Sequence, residues 1–243
     1  MAGGSGDFDV RLDDDVGATP FSESIQDYLR AIYKLEIEEG RATTSAIAAR
    51  IGVAAPSVTG MLKKLAALDL VEHERYHGAV LTDTGRRAAI EITRHHRLLE
   101  MYLAQNLGLG IDAVHAEADR LEHALSEELE ARIDEELGFP THDPHGDPIP
   151  DASLKVDSEA LRPLASLAPG EKATIQRVPD GDAELLRYLS DLELVPGRRV
   201  EVRASAPFEG PLTVVVAAGE HAISRALAAQ IGVTPERRRR NSR

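Results

Sequence analysis

The chain has 243 residues and a net charge of −13, with 41 Asp and Glu against 28 Lys and Arg, and holds neither cysteine nor tryptophan. That length exceeds one typical domain, so two or three small ones are expected, and the missing cysteines exclude disulfides and thiolates, so any metal site must use N and O donors. No apolar run approaches transmembrane length, and the acidic, Gly-rich start is the reverse of a signal peptide, so a cytoplasmic protein without membrane partners is expected.

Residues 1–20 hold five Asp and no apolar periodicity and read as a disordered leader. Ser22 or Ser24 is placed to cap a first helix with an apolar stripe at Ile25, Tyr28, Leu29, Ile32, Tyr33 and Leu35. Thr43 or Thr44 caps a short second helix that Gly52 stops, and Pro56 opens a third at its first position. Val58, Met61, Leu62, Leu65 and Leu68 form its expected inner face. VEHERYHGAVLTDTG reads as a β-hairpin around His77-Gly78. Two long helices follow, Thr84 to Leu109 and Ile111 or Asp112 to about Leu137. Pro140, Pro144, Pro148 and Pro150 then mark a break. The tail alternates short β-like pieces with Gly and Pro around a helical AELLRYLSDLEL, which indicates a small β-barrel or sandwich. Arg237 to Arg240 give a basic end. The fold class expected is mainly α with small β parts.

Helix, turn, helix and hairpin over 43–82 match a winged helix-turn-helix, whose second helix enters the major groove. Its leading residues Pro56, Ser57, Thr59 and Gly60, followed by Lys63 and Lys64, suit bases and phosphates, and Arg75 on the wing suits the backbone or minor groove. The acidic total opposes nucleic-acid binding, but residues 41–90 carry seven Lys and Arg against four Asp and Glu.

Just downstream, His96, Glu100, His115, Asp119, Glu122 and His123 recur at helical spacings. Positions three and four apart share a helix face, so His96 groups with Glu100, and Asp119 with Glu122 and His123. Imidazole and carboxylate donors suit Mn²⁺, Fe²⁺, Co²⁺ or Zn²⁺. His73, His77, His95, His142 and His145 read as surface or turn residues. A di-iron oxidase would need Glu-x-x-His on two helices, and neither Glu100 nor Glu117 has a His three residues on. The remaining alternative is a metal-independent winged-helix regulator answering an organic effector.

DYLRAIYKLE, TTSAIAARIGVAAPSVTGMLKKLAALDLVEHERYHGAVLTDTGRRAA and RHHRLLEMYLAQNLGLGIDAVHAEADRLEHALSEEL resemble the diphtheria toxin repressor family of metal-dependent transcriptional repressors. The resemblance spans residues 21–150 and extends weakly into a tail similar to that family's SH3-like domain. It implies a DNA-binding domain over 21–90, a helical metal-binding and dimerisation domain over 91–150, a linker over 151–165, an SH3-like domain over 166–234 and a tail over 235–243. It also implies a primary site of Asp27, Asp119, Glu122 and His123, an ancillary site of His96, Glu100 and His115, and a homodimer on a palindromic operator of metal-homeostasis genes, with no organic substrate. Iron-sensing members carry Met and Cys where this chain has Asp27 and Asp119, whereas manganese sensors carry carboxylates. Oxygen for sulfur favours Mn²⁺, with Fe²⁺ the alternative. Asp180, Asp182 and Glu184 lie near the place of the SH3-like ligands, but a polar turn accounts for them equally well.

Overall fold

A computed structural model of the chain describes residues 21–74, 78–157, 160–217 and 219–236. The expected leader, the wing residues Arg75, Tyr76 and His77, and the tail from Arg237 lie outside the described residues. No single helix among those described is long and apolar enough to cross a membrane.

The first unit is built from α1 (Glu23–Glu39), α2 (Thr44–Ile51), α3 (Ala55–Ala67) and an antiparallel pair, β1 (Val71–Glu74) and β2 (Gly78–Leu81). The α1 stripe is buried as its spacing requires. Ser22 precedes α1 without a side-chain cap bond, whereas Thr43 Oγ1 accepts from Ala46 N at 3.1 Å and Gly52 closes α2 at φ 76°. Val58, Leu62 and Leu65 of α3 face this core. Leu68 does not: it follows the last helical turn and is 47% exposed.

α4 (Asp83–Leu107) is the spine that joins two cores. Its first turns contribute Ala89 and Ile92 to the core around α1, and its later turns contribute Leu98, Leu99 and Leu103 to a core with Val114, Ala118, Ile133 and Ile149. Thr82 caps α4, and Gly85 packs so tightly that a Cβ there would lie 1.9 Å from the Leu70 carbonyl oxygen.

The single helix expected over about 111–137 is instead three pieces: α5 (Val114–Leu121), a 3₁₀ turn over Glu122–Ala124, and α6 (Glu127–Glu136). Leu125 is extended (φ −74°, ψ 121°), and Ser126 accepts from Leu129 N, starting α6 afresh with Glu127 and Glu128 in its first turn. The proline-rich break is a packed loop in which Asp143, His145, Gly146 and Ile149 are buried.

The tail holds a six-stranded antiparallel sheet in the order β3-β8-β4-β5-β6-β7. Its strands are β3 (Arg162–Pro163), β4 (Lys172–Arg177), β5 (Arg199–Ser205), β6 (Leu212–Val216), β7 (Gly219–Ile223) and β8 (Gly232–Pro235). α7 (Ala183–Asp191) follows β4, and α8 (Arg225–Gln230) joins β7 to β8. Alternate residues Val200 and Val202, and Leu212, Val214 and Val216, fill its core.

Candidate metal centre

Asp27, Arg30 and Lys34 follow one another at three and four residues along α1, so one face of that helix turns a carboxylate and two cations toward the rest of the molecule. α4 supplies His96 and Glu100 one turn apart, α5 supplies His115 and Asp119, and the 3₁₀ turn supplies Glu122 and His123. These side chains meet between the two cores that α4 connects.

Three neighbouring groups of metal-capable atoms result: Asp27 with Glu122 and His123, His96 with His115 and Asp119, and Glu100 with Asp143 and His145. In the first, His123 Nε2 lies 3.4 Å from Asp27 Oδ1 and 3.9 Å from Glu122 Oε1. Gln26 fixes this ring. Its Nε2 donates to the Phe21 carbonyl at 2.8 Å, so its Oε1 accepts from His123 Nδ1 at 3.0 Å and leaves the ring's Nε2 facing the two carboxylates. Glu122 Oε1 is buried and makes no hydrogen bond. An orphan carboxylate oxygen beside an imidazole nitrogen suits a divalent cation and is otherwise costly to bury.

The second group is denser. His96 Nε2 lies 2.9 Å from Glu100 Oε1 and 3.0 Å from His115 Nδ1, and His115 Nδ1 lies 2.8 Å from the same Glu100 oxygen. His96 Nδ1 faces Glu122 Oε2 at 2.6 Å, which joins the first two groups. Asp119 belongs to this side: because the backbone tightens to a 3₁₀ turn after Leu121, its carboxylate points to His96 and His115 at 3.4 and 3.8 Å rather than alongside His123. Arg30 holds it there, donating to Asp119 Oδ1 at 2.5 Å and lying 3.4 Å from Glu122 Oε2.

Charge crowding shifts the protons. Burial alone would lower the His96 pKa, but Glu100 and Glu122 hold it up to about 9. Glu100 resists its own burial and is held well below the usual carboxylate range by His96, His115 and His145. Asp119 is lowered against burial by Arg30 and the two histidines, whereas burial raises Asp27.

The third group went unread in the sequence. His145 is fully buried, not a surface residue; its Nε2 donates to the Ile111 carbonyl at 3.0 Å, and its Nδ1 lies 3.7 Å from Glu100 Oε2 without a hydrogen bond. Burial lowers the His145 pKa but Glu100 brings it up to about 9, while Asp143 is pushed up to about 7 by burial and by Glu100. His95 is also buried, against α6, whereas His142 is exposed. Of Asp180, Asp182 and Glu184, Asp180 is largely enclosed and paired with Lys34 of α1, which holds its pKa down to about 2 against burial. Asp182 caps α7 and Glu184 is exposed, so both have ordinary structural roles.

Pro56, Ser57, Thr59, Gly60, Lys63 and Lys64 form an exposed face of α3. Ser57, Gly60 and Lys64 line a cavity of about 490 Å³ together with Asp27 and Tyr28, so the first group of metal-capable atoms adjoins α3.

Residues 20–79 match the model of the iron-dependent repressor N-terminal DNA-binding domain. Residues 82–151 match that of the iron-dependent repressor metal-binding and dimerisation domain, and residues 162–235 match the FeoA domain. The chain is 34% identical over 206 residues to the iron-dependent repressor IdeR of Mycobacterium tuberculosis, covering 80% of this chain and 89% of that one. It is 39% identical over 186 residues to the diphtheria toxin repressor of Corynebacterium glutamicum, covering 72% and 81%. Among solved structures, a manganese-dependent transcriptional repressor in complex with manganese superposes with a TM-score of 0.79 at 39% identity, over 87% of this chain and all of that one. T. acidophilum IdeR gives 0.73 at 30% identity over 87% and 97%.

Proposed function

Because the chain belongs to the iron-dependent repressor family, we propose that it is a transcriptional repressor switched by Mn²⁺, with Fe²⁺ as the second choice. It would act in the cytoplasm as a homodimer on palindromic operators of metal-homeostasis genes. Asp27, Glu122 and His123 hold the activating ion, with Asp119 at its margin, and His96, Glu100 and His115 hold the ancillary one. All of these donors are nitrogen or oxygen, which in relative terms favours Mn²⁺.

The observation that carries the reading is the convergence of Asp27 with Glu122 and His123. Asp27 sits on the helix that backs α3, whereas Glu122 and His123 sit about a hundred residues later in the module matched for dimerisation. A bound ion supplies positive charge shared between those two bodies. Without it, Asp27 and Glu122 repel each other, and Arg30 is the nearest internal cation. Closing α1 onto α5 fixes α3 relative to the dimer, and two such helices about one DNA turn apart match a two-fold operator. Leu107, Leu121 and Leu129, 45–59% exposed, offer the apolar surface a dimer would cover. Lys63 and Lys64 supply phosphate contacts and Ser57 and Thr59 base or phosphate contacts.

Fluorescence anisotropy of promoter DNA at fixed salt tests this. Mn²⁺ or Fe²⁺ should raise operator affinity by tenfold or more in the parent and leave Asp27→Ala unchanged. Equal affinity with and without metal in the parent would reject it.

A further inference from the structure

α4 turns a second face, away from His96, toward α6. Glu91 and His95 lie one turn apart on α4, and Glu127 and Glu130 lie three residues apart at the start of α6. One ligand atom each from Glu91, His95 and Glu127 falls within 4.8 Å of the others. The His95 side chain is only 3% exposed, and its Nε2 makes no hydrogen bond although Glu130 Oε2 lies 2.6 Å away and Glu127 Oε1 3.4 Å away. A buried imidazole nitrogen with carboxylate oxygens this near but aligned with none of them has its hydrogen-bonding capacity unmet.

The nearest guanidinium is already committed. Arg94 donates to Glu130 Oε1 at 2.7 Å, to Asp134 at 2.6 Å and to the Pro150 carbonyl at 2.7 Å. Glu130 therefore keeps Oε2 for the His95 side, while Glu91 and Glu127 crowd each other there. Glu127 is 51% exposed, so the cluster opens to solvent.

We propose that Glu91, His95, Glu127 and Glu130 form a further divalent-cation site, separate from the ligands around His96 and Glu122, that staples α6 to α4. One imidazole and three carboxylates make a nitrogen–oxygen set of the class that takes Mn²⁺, Fe²⁺, Co²⁺ or Zn²⁺. The ion relieves the repulsion of Glu91, Glu127 and Glu130 and completes His95. Its effect is on α6, adding a tie to α4 at the helix start beside the Ser126 cap and the Arg94 contacts.

Zn²⁺ is the probe, counted per full-length chain by equilibrium dialysis, with hydrogen exchange followed in α6. Glu127→Gln, on a half-exposed side chain that leaves the cores untouched, should bind one Zn²⁺ fewer per chain, or bind the last one at least tenfold more weakly. It should also lose the Zn²⁺-induced protection of α6 while keeping that of α1. Asp27→Ala should do the reverse, keeping the protection of α6 and losing that of α1. Unchanged stoichiometry and affinity in Glu127→Gln, or no Zn²⁺-induced protection of α6 in the parent, overturns the site and leaves the metal-switch reading untouched.

Discussion

His96 must surrender a proton before it ligates a metal, which makes pH a direct probe of the centre. Both His96 and His145 are buried and share Glu100, and the pKa of each is raised from 6.5 to about 9. A raised folded-state pKa contributes stability that is complete below 6.5 and is lost as pH climbs through 9. A shift of that size corresponds to about 3 kcal/mol for one histidine, and because both lean on one carboxylate the pair adds little more. For a chain of this length, 3 kcal/mol is roughly 6–12 °C in Tm. Asp143, raised from 3.8 to about 7, works in the same direction at lower pH. Metal binding runs the opposite way: displacing the His96 proton costs less as pH rises, so affinity should rise about tenfold per unit up to about 9. Scanning fluorimetry in chelator from pH 6.5 to 9.5, paired with Mn²⁺ competition titrations to pH 8.5, reads both. Falling metal-free Tm with rising affinity is expected, and Glu100→Gln should flatten the fall. A metal-free Tm that is flat or rises across the window would refute the coupling.

Arg30→Gln removes the internal cation from Asp119 and Glu122; the metal-free protein should lose about 1–3 kcal/mol while Mn²⁺ binds more tightly, measured by melting and by calorimetry. Gly146 has φ +89°, and a Cβ there would lie 1.7 Å from the Gln176 carbonyl oxygen; Gly146→Ala should cost about 1–3 kcal/mol or more and free β4 from the loop that carries Asp143 and His145, seen as faster hydrogen exchange in both. Lys64→Ala should weaken operator and nonspecific DNA alike and reduce the slope of log affinity against log salt by about one.

The first unit was legible because its signals are local and repeated. The α1 stripe, the Thr43 cap, Gly52 and the α3 inner face each follow from spacing or backbone preference alone. The metal-capable residues of α4 and α5 were legible by the same periodicity, but their grouping was not. Helical spacing grouped Asp119 with Glu122 and His123, and nothing in the pattern marks the 3₁₀ turn that intervenes after Leu121; separately, the serine followed by two glutamates was the sign of a new helix start at α6. Asp143 and His145 lie in a loop without periodicity, and their burial depends on α4 and β4 closing over it. Gln26 and Arg30 look like solvated helix positions until His123 and Asp119 arrive from about ninety residues away. α8 is six residues long and β8 four, too short for a pattern to form.

A crystal of the Mn²⁺-loaded protein, with the ion located by its anomalous scattering at the manganese edge, tests the central claim most directly. The ion is expected within about 2.5 Å of Asp27 and of both Glu122 and His123, tying α1 to the 3₁₀ turn. An ion held by Glu122 and His123 with Asp27 turned away would leave the reading helix unconnected to the metal and contradict the switch.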